Sequence, residues 1–386
     1  MRPLLLATIP FLLASGCSPS EGVASGNSSA PTQTAQAPTG NPFTVQEIAK
    51  FDEPWAMTFI PGTGQALITE KKGRLKLWNA DGGVIDVAGV PAVDYGGQGG
   101  FGDVVLHPDF ANNNFIYLSW VEAGDGDTRG AVVGRGKLVL AGDTARIEGL
   151  QPIWRQEAKV TGRGHFAHRM AFSPDGYLFI TSGDRQKFDP AQDMSQNLGK
   201  VIRLTDAGGV PSDNPFYDKG RVTAQIWTLG HRNPLGIAFD AQGRLWEHEM
   251  GPQGGDEVNL IVKGRNYGYP IVSNGDHYDG KDIPDHPTRP EFEAPKVWWN
   301  PAISPAGMIV YSGDMFPAWK GDILMGALSG KALIRVDLDG ASARKGDQWD
   351  MGTRIREVEQ GPDGSVYLLE DQDKSGGGRL LKLTAR

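Results

Sequence analysis

The sequence predicts an all-β chain folded as a six-bladed β-propeller of four-stranded antiparallel blades. Three observations carry that expectation. A hairpin signature returns six times, a further strand with a polar exit trails each copy, and the composition suits short strands. The 386 residues include 53 glycines, 26 prolines and ten tryptophans with moderate charge, which describes tight turns rather than long helices.

The copies run in order along the chain: IPGTGQALITE (60–70), LHPDFANNNFIYLSW (106–120), FSPDGYLFITSG (172–183), FDAQGRLWEHE (239–249), YSGDMFPAWKGDILMG (311–326) and QGPDGSVYLLED (360–371). Each joins an apolar strand end, a turn of Pro, Gly or Asp, and a second apolar or alternating strand. The trailing strands are GRLKLWN (73–79), GKLVLAG (136–142), GKVIRLT (199–205), DEVNLIV (256–262), KALIRVDL (331–338) and GRLLKLT (378–384). Four short strands per unit at irregular spacing are what a propeller with inserted loops gives. A β-sandwich with irregular hairpins is the alternative, and it does not require sixfold recurrence. The segment TVQEIAKF (44–51) is expected to pair with the last blade and close the ring, because an open terminal edge invites aggregation.

The start of the chain reads differently. MRPLLLATIPFLLASGCS has one arginine, an apolar run and small residues before the only cysteine, Cys17. Residues 1–17 read as a secretory signal with a lipobox-like end, too short for a stable membrane span. Cys17 would then be the lipidated N-terminus, with plain cleavage nearby as the alternative. Residues 18–42 hold no aromatic side chain and too little apolar surface to offset ordering, so they are expected to be a tether before a catalytic domain at 43–386. The address implied is export to the periplasmic side, anchored by lipid to the outer membrane. A net charge of −8 argues against a nucleic-acid partner.

In a propeller, residues just before the first strand of each blade converge on the axis at one end. That places Gln98, His165, His168, Arg169, Arg232, Asn233, Arg354 and Arg356 around a channel mouth. Guanidinium forks match carboxylates and stack on conjugated rings, so several arginines aimed at one cavity point to a small polyanion. For a single arginine a salt bridge is the more ordinary role. Arg354 and Arg356 alternate along one strand and are expected to share a face. GPQGGDEVNLIVKGRNYGYP (251–270) offers Asp256, Glu257 and free loop carbonyls to a hard cation, although from the residues alone a plain turn with acidic strand residues is the more ordinary reading. Zinc at His165 and His168 lacks a third ligand in any local pattern.

GHFAHRMAFSPDG, TLGHRNPLGIAF, HEMGPQGGDEVNLI, NYGYP and RIREVEQGPDG together resemble, in the same order, the soluble quinoprotein glucose and aldose sugar dehydrogenases. The resemblance runs from about residue 43 to the end and is nearer the compact aldose sugar dehydrogenase branch. It implies a six-bladed propeller using pyrroloquinoline quinone (PQQ) and Ca²⁺ to oxidise aldoses to lactones, with electrons passed to an external acceptor. It also implies His165 as general base, Gln98 beside the quinone, Arg232 and Asn233 on its reacting side, and Arg354 and Arg356 on its carboxylates. The Gly251 and Pro252 carbonyls would bind the cofactor's calcium, and Glu257 with the Tyr267 carbonyl a second, structural calcium. Where the family carries a lysine in GAL-Lys, this chain has Ser329, and Lys331 two residues on is the candidate substitute. The reading from a different class is a calcium-stabilised propeller lipoprotein that binds ligand or hydrolyses lactones without redox chemistry.

Overall fold

The computed structural model describes residues 40–372 and 376–386, so the expected signal, Cys17 and nearly all of the tether lie outside the described residues. Among the described residues there are four four-stranded sheets, one eight-stranded sheet and a two-stranded ribbon. Helix among these residues is confined to Phe110–Asn113 and a few 3₁₀ turns.

Each predicted hairpin forms. The first strands are Pro54–Phe59, Phe101–Leu106, Ala167–Phe172, Pro234–Phe239, Pro305–Val310 and Ile355–Gln360. In the first five, four buried residues lead into two half-buried ones, and the sixth differs only in half-exposing Arg356. The turns repeat as well. Gly176, Gly243 and Gly364 each donate N–H to the carbonyl three residues back, at 2.9, 2.9 and 3.0 Å, with φ of 85°, 75° and 80°. Only glycine adopts that left-handed conformation at no steric cost, which is why the signature keeps it.

The six first strands pack side by side in chain order, and the last returns to the first, so the sheets form a closed ring around one axis. Closure uses the predicted strand: Phe43–Lys50 pairs antiparallel with Arg379–Ala385, Phe43 opposite Ala385. Apolar side chains fill the space between neighbouring sheets, as where Trp246, Val258 and Trp299 pack against Met325 and Ile334. One feature departs from separate four-stranded units. Val84–Ala88 and Thr144–Arg155 run parallel and join at Val87–Ala145 and Ala88–Arg146, fusing two sheets into the eight-stranded one.

A second departure concerns the axis. His168 and Arg169 lie inside the strand Ala167–Phe172 rather than before it. Arg169 therefore sits below the mouth, where it pairs with Asp103 and Glu357, and its guanidinium lies 3.9 Å from the Trp55 ring centroid. Three carboxyls, Asp103, Glu357 and Glu359, share this narrow part of the channel with that one cation. Burial pushes the Glu357 carboxyl up to about 7 in spite of Arg169, with Asp103 adding to the rise.

Candidate active site

Above that constriction the strand ends open into a cavity of about 450 Å³. Gln98, His165, Arg232, Gly251, Pro252, Arg354 and Arg356 all line it, so the structure brings together residues spread over more than 250 positions of chain. Asn233, Glu257, Tyr267 and Lys331 do not line it.

His165 is buried, and its Nδ1 lies 2.7 Å from Asp184 Oδ1. A carboxylate only accepts, so the ring proton sits on Nδ1 and the Nε2 lone pair is left free toward the cavity. Burial lowers the imidazole pKa below its ordinary value, with Asp184 opposing and Arg232 and Arg185 assisting. The ring is thus a neutral base at neutral pH. Asp184 is itself fixed by the Gln186 and Phe188 amides at 2.9 and 3.3 Å and is fully buried.

The local backbone is bent to hold this pair. Among the described residues, six of the eleven non-glycine residues with positive φ belong to or flank it: His165, Ala167, His168, Arg185, Gln186 and Phe188. Strained backbone of this kind persists only where the surroundings over-determine it. Here Gln98 Oε1 accepts the His165 amide at 2.7 Å, and Arg185 clamps the carbonyls of Gly164, Arg129 and Gly162 at 2.9, 2.7 and 2.6 Å. A Cβ on Gly183 would lie 2.1 Å from the His165 carbonyl oxygen, so the strand exit can pass only as glycine. His168 plays a different part. Its ring stacks on Trp55 at 5.2 Å and bonds Ser119 Oγ at 2.7 Å through Nδ1, and burial holds its pKa down to about 3. It is a neutral piece of the cavity floor.

Cations dominate the walls. Lys71, Arg232, Arg354 and Arg356 face the carboxyls of Asp256 and Asp371. Arg354 and Arg356 share a face as expected: Arg354 Nε donates to Asp371 Oδ2 at 2.8 Å, and Arg356 donates to Oδ1 at 3.0 and 2.9 Å. Arg232 donates to the Met250 and Gly251 carbonyls at 3.0 and 2.6 Å, while its backbone N–H meets Glu249. Among the described residues its Nε is buried with no partner, and so is the Oδ1 of the neighbouring Asn233. Orphaned buried polar atoms beside an excess of cations are what a polar anionic ligand would satisfy. Lys331 is placed elsewhere: it opens on an adjoining cavity that shares only Arg354 and Asp371 with the main one. Ser329 turns aside to Ser304 Oγ at 2.8 Å.

Glu257 and Tyr267 meet in a separate small cavity, with Glu249 and His286 on its walls. Burial, reinforced by Glu249, raises the Glu257 carboxyl far above its ordinary range, and Glu247 behaves alike. Among the described residues Glu247 Oε1, Asn259 Oδ1 and His286 Nδ1 have no partner, and ligand atoms of His231, Glu247 and Glu249 lie within 4.8 Å of one another. Several buried carboxyls with Arg232 as the one cation lining the cavity among the described residues form an oxygen-rich donor set that fits a hard divalent ion.

Sequence reasoning missed Asp184, Lys71 and the Glu247–Glu249 pair. Asp184 directly follows the third hairpin copy, and Glu249 ends the fourth, so an acidic residue at the exit of a copy was the signal available.

The family model for glucose/sorbosone dehydrogenase matches residues 51–382. The chain belongs to that family. It is 39% identical over 345 residues to the aldose sugar dehydrogenase YliI of Escherichia coli K12, covering 87% of this chain and 91% of the relative. Quinoprotein glucose dehydrogenase B of Acinetobacter calcoaceticus is 26% identical over 425 residues, with 88% of each chain covered. A crystal structure of a glucose dehydrogenase superposes with a TM-score of 0.84 at 41% identity, covering 89% of this family member and all of that chain.

Proposed function

We propose that this glucose/sorbosone dehydrogenase family member oxidises aldose sugars, glucose among them, at the anomeric carbon to the lactone, using PQQ and Ca²⁺ on a six-bladed propeller. The eight-stranded sheet then counts as two blades joined along their outer edges. The observation that carries the reading is the His165–Asp184 pair at one wall of a cation-lined cavity.

PQQ, when bound, supplies a two-electron acceptor for the hydride of the anomeric C–H. The protein's own work is acid–base and electrostatic. His165 Nε2 takes the anomeric hydroxyl proton as that hydride leaves, so the C–O bond becomes the lactone carbonyl. Asp184 keeps the imidazole in the productive tautomer and stabilises the imidazolium that forms, and water in the open cavity then takes the proton away. Arg232, held by the Met250 and Gly251 carbonyls, is a fixed cation for negative charge developing on the acceptor. Arg354 and Arg356 would hold the cofactor's carboxylates, and Gln98 would lie beside the quinone. The Gly251 and Pro252 carbonyls would take the cofactor's calcium, Gly251 sharing its oxygen with Arg232, and Glu257 with the Tyr267 carbonyl would take the structural one. Electrons leave to an external acceptor. Export and a lipid anchor at Cys17 belong to the same proposal.

The test adds PQQ and Ca²⁺ to the purified protein and follows dye reduction with glucose and a panel of aldoses. Sugar-dependent dye reduction that needs both additions is the expected result. A protein that neither binds PQQ nor reduces dye, but opens a lactone in the presence of calcium, would replace this reading with the hydrolytic one.

A further inference from the structure

Lys71 has no place in the pairing scheme that accounts for the other wall cations. It leads the turn out of the strand Ala66–Glu70, and this turn is pinned on both sides. Its N–H donates to the Glu53 carbonyl at 3.0 Å, and its own carbonyl accepts from Phe101 at 2.8 Å. The backbone therefore holds the side chain over the cavity, half-buried, on the wall that also carries Arg354, Arg356 and Gln98. An ammonium has three donors, and among the described residues Nζ uses one, to the Gly97 carbonyl at 3.1 Å. The Tyr95 ring, with its centroid 5.9 Å from Nζ, covers the outer side.

The charge around it is unbalanced. Asp371 is already engaged by both arginines through both oxygens. Desolvation is the largest cause lowering the Lys71 pKa, and repulsion from Arg356 comes next, with Glu53 and Asp371 only partly offsetting it. Three cations thus converge on one stretch of wall with a single shared carboxylate between two of them. Such an arrangement costs free energy by mutual repulsion and is relieved by an anion that reaches all three.

We infer that Lys71 is a further cofactor-binding residue, its ammonium engaging a carboxylate of PQQ alongside Arg354 and Arg356. The inference rests on the PQQ reading of the cavity and deepens it by assigning a third cation to the tricarboxylate. Lys71 is a binding residue here, with no part in proton transfer.

The test is direct binding of PQQ to the calcium-loaded protein, read by quenching of tryptophan fluorescence and by isothermal calorimetry, with no turnover involved. Lys71→Ala should raise the Kd about tenfold, the effect of losing one charge-assisted contact at a partly exposed site. Lys71→Arg should recover most of it, and Lys331→Ala should change Kd less than Lys71→Ala does. The salt dependence of binding should flatten in Lys71→Ala, since one fewer ion pair forms. Lys71→Gln guards against a folding artefact, and its melting temperature without cofactor should match wild type. If wild type binds PQQ and Arg356→Ala loses affinity while Lys71→Ala and Lys71→Gln bind as wild type does, the assignment of Lys71 is overturned and the cofactor reading stands. If wild type does not bind PQQ, the cofactor reading itself falls.

Discussion

Replacing Asp184 by asparagine tests the tautomer argument at the centre of the site. Asp184 Oδ1 accepts from His165 Nδ1 at 2.7 Å and from the Gln186 amide at 2.9 Å, and Oδ2 accepts from Phe188 at 3.3 Å. An asparagine can keep its carbonyl oxygen on only one side. If the amide oxygen turns to the Phe188 N–H, its NH₂ takes the Oδ1 position that faces both His165 and Gln186, and the imidazole must then accept at Nδ1 and carry its proton on Nε2. The base is lost although every atom remains in place. General-base catalysis is worth about 10²–10⁴ in rate, so kcat/KM for glucose should fall within that range, or about 3–5 kcal/mol of transition-state stabilisation. The assay is dye-linked oxidation at saturating PQQ and calcium, with PQQ affinity measured separately and expected to hold. The pH profile separates tautomer from pKa. Burial already holds the His165 pKa below its ordinary value, so wild-type activity should persist as pH falls through 6.5, and removing Asp184's opposing influence lowers the pKa further. The variant's deficit should therefore be the same across the neutral range, with no alkaline rescue. Activity within threefold of wild type, or full recovery at higher pH, would refute the tautomer argument.

His165→Ala should retain PQQ and lose sugar oxidation by ~10² or more, whereas His168→Ala, which removes a floor residue stacked on Trp55, should lower the melting temperature more than it lowers kcat. Chelation should abolish activity and lower Tm, with Ca²⁺ plus PQQ restoring both through binding to the native state and Zn²⁺ failing to do so; calorimetry with and without each ion reads this. Glu357, facing Asp103, Arg169 and Glu359, has a carboxyl raised to about 7 from an ordinary 4.5, so the folded state holds a proton that the unfolded chain has released. The stability this gives is complete below pH 4.5 and lost as pH rises toward 7, on the order of 3 kcal/mol in total, and Glu357→Gln should flatten urea-derived stability against pH over that window. Cys17→Ala should release the protein from the membrane fraction with its activity intact, as read by fractionation and dye reduction.

What the sequence determined by itself was local. A Pro-Asp-Gly or Gln-Gly turn, present in three of the six copies, closes within four residues and specifies its hairpin without reference to the rest of the chain, and six recurring hairpins imply six first strands. The terminal strand Phe43–Lys50 was legible for the same kind of reason, since an unpaired edge needs a partner. Arg354 and Arg356 were readable because period-2 geometry fixes their common face. The outer strands were less so: Val84–Ala88 and Thr144–Arg155 carry no repeated turn, and their parallel junction depends on two sheets meeting edge to edge. Only the closed ring decided the chemistry of the site. His165 and Asp184 stand at a strand entry and a neighbouring strand exit, and they meet because antiparallel pairing returns the chain to the same rim. Arg169, expected at the mouth, sank to the constriction because the strand begins two residues before it. Lys71 reached the arginines of the last hairpin because the ring sets its first sheet beside its last. Turn chemistry acts over a few residues, but a cavity lined by the ends of many strands exists only once the ring is closed, and closure sets which charges are left to face one another.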